Sequence, residues 1–154
     1  MSVARALVAA VMAALALPAS AADLCALLAK HGPSVFGTPL QAPPQCDQSG
    51  PAKSGAANNA SGSDRLAMSV AGVPGADRAI DEMRRDKRDD RTVSEEAALG
   101  RDAILVRMDK GRVAAFHIAD GGRYLTIQLR ARDGLNDAYI ERVRAFAKVV
   151  KAAR

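Results

Sequence analysis

Two histidines, His31 and His117, and two cysteines, Cys25 and Cys46, are the whole supply of thiol and imidazole ligands in this chain. They stand far apart, and neither His-x-x-x-His nor Cys-x-x-Cys spacing occurs, so no metal site is expected. Past the first 21 residues the methionines are Met68, Met83 and Met108, each at a position of core type, which leaves no Met-rich copper site. Nucleophilic catalysis lacks its usual settings, for the chain contains no Gly-x-Ser-x-Gly and no Ser-x-x-Lys. Glu95-Glu96, ahead of a predicted strand, reads as a solvated connection and not as a carboxylate pair for glycoside hydrolysis. Gly121-Gly122 has no helix after it to form a phosphate cradle, so it reads as a turn. With no Trp and five other aromatics (Phe 3, Tyr 2), a sugar-stacking platform is poorly supplied. The expectation is a protein without cofactor or metal that is not an enzyme. An envelope enzyme with a carboxylate or His117 site is the alternative.

The address is clearer than the chemistry. Residues 1–21 read as a secretory signal peptide: Arg5, an apolar run from Ala6 to Leu17, then Pro18-Ala19-Ser20-Ala21 with an A-x-A cleavage site. The run falls short of the ~20 residues that cross a bilayer, so no transmembrane segment is expected after cleavage. The product is expected in the periplasm or outside the cell. About 130 residues then remain, enough for one domain over 22–154 with a single core. Loss of Arg5 takes 22 Lys and Arg to 21 against 17 Asp and Glu, a net charge of +4. That excess is mild and spread along the chain, and no basic stripe for nucleic acid results.

Outside the cytoplasm an even cysteine count points to one disulfide, Cys25–Cys46. Lipidation of Cys25 is the competing reading, but Asp23-Leu24 does not fit a lipobox. Asp23 caps a predicted helix through Leu24, Leu27 and Leu28 that ends near Lys30-His31, with Gly32-Pro33 as the stop. His31 there reads as a dipole contact. The stretch 47–64 is Gly, Ser, Asn, Ala and Lys without apolar periodicity, and a flexible loop is expected. Arg65–Val70 alternates as a strand with Leu66, Met68 and Val70 inward. A second helix follows Pro74-Gly75 with Ala76, Ala79, Ile80 and Met83 as its stripe, and runs into the mixed charges of residues 84–91.

The clearest patterning follows. Ile104–Met108, the turn Asp109-Lys110-Gly111-Arg112, Ala114–Ile118, the turn Asp120-Gly121-Gly122 and Tyr124–Arg130 form an antiparallel meander of three strands. A helix from Asn136 carries Tyr139, Ile140, Val143, Phe146, Ala147 and Val150 on one face. The fold class is α+β: an antiparallel sheet, the meander plus at least one further strand, with about three helices packed on one face. The other face is expected to carry Arg107, His117, Tyr124, Thr126, Gln128 and Arg130, the candidate binding residues.

The outline resembles small exported bacterial domains of unknown function found among lipoproteins, and the envelope sensor domains of certain bacterial serine/threonine kinases. The shared features are Cys25-x-Leu27-Leu28 on a first helix, Phe36-Gly37-x-Pro39, a second cysteine at Cys46, Leu99-Gly100-Arg101-Asp102-Ala103 leading into a strand, and a terminal helix with Val143 and Ala147. This chain departs in its single cysteine pair, its missing lipobox and its long Gly/Ser/Asn stretch. The resemblance implies a binding or sensing module without catalysis, and it supplies no ligand.

Together these readings predict a small exported binding protein whose partner is another protein of the envelope, for example an immunity or inhibitor protein against a toxin or hydrolase. A structural accessory of a secretion or cell-wall complex is the remaining alternative.

Overall fold

A helix forms first because Asp23 sits ahead of an apolar stripe. In a computed structural model, which describes residues 23–153, the Asp23 carboxylate accepts from the Cys25 and Ala26 amides at 2.9 and 3.2 Å and caps α1, Leu24–Phe36. The expected leader lies outside the described residues. The predicted stop at Gly32-Pro33 is overturned, since α1 runs through it to Gly37, whose φ of 72° supplies the left-handed cap. The extra turn buries Val35 and Phe36, which offsets the hydrogen bond lost at Pro33. His31 is therefore within the helix, 6.2 Å from the Phe146 ring, and not at a helix end.

Seven strands follow: β1 Gln45–Asp47, β2 Lys53–Asn58, β3 Arg65–Gly72, β4 Arg91–Glu95, β5 Ala103–Met108, β6 Val113–Asp120 and β7 Arg123–Arg130. Two more helices, α2 Ala76–Arg85 between β3 and β4 and α3 Asp137–Ala152 at the end, complete the order. All strands pair antiparallel in one sheet of order β1-β2-β3-β7-β6-β5-β4. The meander and the α3 helix, capped by the Asn136 carboxamide on the Tyr139 amide at 2.8 Å, fall where the alternation predicts them. Among the described residues no helix is long and apolar enough to cross a membrane.

The stretch 47–64 is corrected most. Its middle is β2, held between β1 and β3. The strand is built from small residues because the disulfide lies on it: a Cβ at Gly55 would sit 2.8 Å from Cys46 Sγ and 2.9 Å from Leu28 Cδ1. Beyond it, Asn59–Asp64 is a tight turn closed by Asn59 N to Asp64 O at 3.1 Å. The Tyr139 hydroxyl donates to Asp64 at 2.9 Å and fastens that turn to α3.

Helices lie on both faces, not one. Leu24, Leu28, Val143, Phe146 and Ala147 of α1 and α3 pack with Leu66, Met68, Leu105, Phe116 and Ile127 on one face. Ile80 of α2 packs on Ile104 and Val106 on the other. The reason is β5, where four successive residues, Ala103 to Val106, are buried, so apolar side chains leave the strand in both directions and both faces need cover. The expected disulfide is present, Cys25 to Cys46 with Cα atoms 5.9 Å apart, and joins α1 to β1.

Candidate functional site: the partly covered sheet face

Side chains directly opposite in an antiparallel register share a face. On the α2 face, Ser54, Ser69, Thr126 and His117 stand opposite one another on β2, β3, β7 and β6. The next row is Gln45, Ala56, Ala67 and Gln128 on β1, β2, β3 and β7, and the one after it Asn58, Arg65 and Arg130. Helix α2 covers the β4–β6 end of this face and Tyr124 at the start of β7. Over the remaining strands lies an open trough of about 480 Å³ between Gln45 on β1 and Thr126 and Gln128 on β7.

The predicted binding residues divide into four groups. Thr126 and Gln128 line the trough. Arg130 closes the row beyond it. His117 and Tyr124 lie on the same face but largely beneath α2, with Tyr124 Oη 2.7 Å from His117 Nδ1 and 4.0 Å from Met83 Sδ. Arg107 is not on this face. It pairs with Ala114 and so shares the α1/α3 face, where its guanidinium lies 3.4 Å from Asp137. Its misplacement follows from the β5–β6 turn, which sets odd residues of β5 opposite even residues of β6.

Burial pushes His117 down to about 4, and the charge of Arg91 adds to the effect. Burial likewise raises Tyr124. At neutral pH an uncharged imidazole and an uncharged phenol share one hydrogen bond, whose donor is set by the imidazole tautomer. The pair is a polar contact under a helix, with the Thr126 hydroxyl beside it.

The pKa difference predicts a pH response. The folded-state value lies below the 6.5 of an unperturbed histidine, so the unfolded chain binds its proton first as pH falls. The stabilising contribution of neutral His117 is complete above about pH 6.5 and is lost between there and about pH 4. The loss should be about 2 kcal/mol, allowing for partial solvent screening of the ring. Denaturant midpoints measured at half-unit steps should lose this component in His117→Gln, whose carboxamide can donate to or accept from Tyr124 but does not titrate. Parallel curves for both proteins would contradict the assignment.

Glu95 and Glu96 do not converge. Arg84 of α2 holds both Glu95 oxygens at 2.9 Å, while Arg144 of α3 holds both Glu96 oxygens at 2.7 Å. The reading of this pair as a solvated connection is corrected at Glu96, which is 5% exposed. Its neutralising partner is 48 residues away in sequence, and nothing local announces it. Among the described residues no group of three His, Cys, Asp or Glu is placed to hold a metal ion. No family model, no curated protein and no solved structure matches this chain.

Half of the trough is absent from the predicted residues. Ser54 and Gln45 lie on strands inside or beside the presumed loop. Arg65, Ala67 and Ser69 are the outward set of the predicted 65–70 strand, and only the pairing of β3 with β7 brings them beside Thr126 and Gln128.

Proposed function

We propose that the protein is an exported, non-enzymatic binding module that recognises another protein of the envelope through the uncovered half of its sheet. One observation carries this reading. The α1/α3 face is closed by an apolar core, whereas the opposite face is covered at one end only and offers Ser69, Thr126 and Gln128 beside small Ala side chains. Small-molecule pockets are concave enough to bury most of their ligand around a few converging polar groups. This trough is broad and open, its hydroxyls and amides are spread in rows, and no aromatic side chain lines it. Such a surface suits a protein segment laid across the strands. An immunity or inhibitor protein against a toxin or hydrolase is a concrete form of that role. The sequence outline shared with exported sensor domains and the export leader favour the same class of activity.

Ser69 is exposed, so Ser69→Tyr should fold as the parent does while filling the trough. Tagged mature protein and this variant should be compared as baits in an envelope extract from the source cells and from competitors. A partner held by the parent should be reduced at least tenfold on the variant. Equal retention would place the interface elsewhere.

A further inference from the structure

Arg65 on β3 and Arg130 on β7 are directly opposite one another on the trough face. Like charges in that position repel, and sheets ordinarily avoid them. The local compensation is incomplete. The Arg65 guanidinium has no hydrogen-bond or ion-pair partner among the described residues. Arg130 reaches only Asp109, at 3.4 Å, and that carboxylate is already engaged by Arg112 at 2.7 Å. Two guanidinium groups thus share one carboxylate, and Arg65 is left without one. Arg65 also lines the trough, one row from Gln128.

Resting on the reading of the trough as a protein-docking surface, we infer that Arg65 and Arg130 form an anion-receiving end of it, which takes an acidic segment of the partner. A carboxylate set between the two guanidiniums relieves their repulsion and gains charge-assisted hydrogen bonds. The two arginines would fix which way the partner lies across the strands and speed its capture. The net charge of +4 expected for the mature chain favours an acidic partner in the same sense.

The test uses a fluorescein-labelled hexaglutamate peptide titrated into the mature chain at low salt and read by anisotropy. Arg65→Gln and Arg130→Gln each remove one side of a repulsive contact at exposed positions, so the fold is retained. Either change should weaken binding at least threefold and both together at least tenfold. Arg101→Gln removes the same charge from an exposed site in the turn before β5 and should change it less than twofold. If the double variant behaves like Arg101→Gln, the anion site is overturned. A labelled hexathymidine or phosphatidylglycerol vesicles losing more affinity than hexaglutamate in the double variant would overturn the assignment to a protein segment. The underlying reading is scored separately: Ser69→Tyr retaining the captured partner sinks the docking surface, whereas its releasing the partner while hexaglutamate ignores Arg65 and Arg130 sinks only the acidic segment.

Discussion

Replacing Glu96 by Ala is expected to destabilise the protein by about 3–5 kcal/mol, the usual cost of leaving one half of a buried ion pair uncompensated. The carboxylate is almost fully buried, and both its oxygens are taken by Nε and Nη2 of Arg144 at 2.7 Å. That pairing, with a further contact to Glu141, holds the Arg144 guanidinium above its ordinary range. The guanidinium also lies 5.8 Å from the Phe116 ring centroid, so removal of Glu96 leaves a charge against the core with only the exposed Glu141 to pair it. Arg144→Ala should cost a similar amount. Glu96→Leu combined with Arg144→Leu should recover most of the loss, because the penalty comes from the unpaired charge and not from absence of the pair. Urea unfolding of the four proteins measures these differences, and a Glu96→Ala cost below about 1 kcal/mol would rule out a desolvated pair. The structural effect should be confined at first to one edge. Glu96 fastens the connection between β4 and β5 to α3, and β4 has only β5 as a strand neighbour.

That pair marks the limit of what local sequence reveals. Strand and helix periods are local, so Leu125, Ile127 and Leu129, the Gly121-Gly122 turn and the Asn136 cap announce their elements. Which face a side chain takes depends on register, and register is set by turns and by strands distant in sequence. Arg107 shows this. The β5–β6 turn carries positive φ at Asp109, Lys110 and Gly111, and its exit sets Arg107 opposite Ala114 instead of beside His117. Strand β2 shows a second limit. Ser54, Gly55 and Ala56 have no strand signature of their own and are drawn into the sheet by the disulfide above and the strands on either side. Helix α2 shows a third, since its cover of Ile104 and Val106 is foreshadowed only by β5 being apolar on both sides. Of the candidate face, the β6–β7 half is legible and the β1–β3 half depends on pairing of β3 with β7.

Replacing both cysteines by serine is expected to cost about 3 kcal/mol, from the freedom regained by a loop whose ends lie 21 residues apart in sequence. For a domain of this size that lowers the thermal midpoint by about 10 °C. The effect on binding should exceed the effect on folding under native conditions. Strand β1 has three residues, an exposed outer edge and no second strand neighbour, so the disulfide to α1 is its main anchor besides its pairing with β2. Gln45, one wall of the trough, stands next to Cys46 on that strand. Freed of the cross-link, β1 should fray locally while the meander and α3 stay folded, because local opening is least costly where few buried contacts hold an element. Hydrogen exchange should therefore rise at residues 45–47 and 53–58 well before the β6 and β7 amides, and the captured partner should be lost from reduced protein that still melts cooperatively. Uniform loss of protection across the sheet would instead make the disulfide a brace of the whole fold. Local fraying would make the trough dependent on an oxidising environment that keeps the disulfide closed.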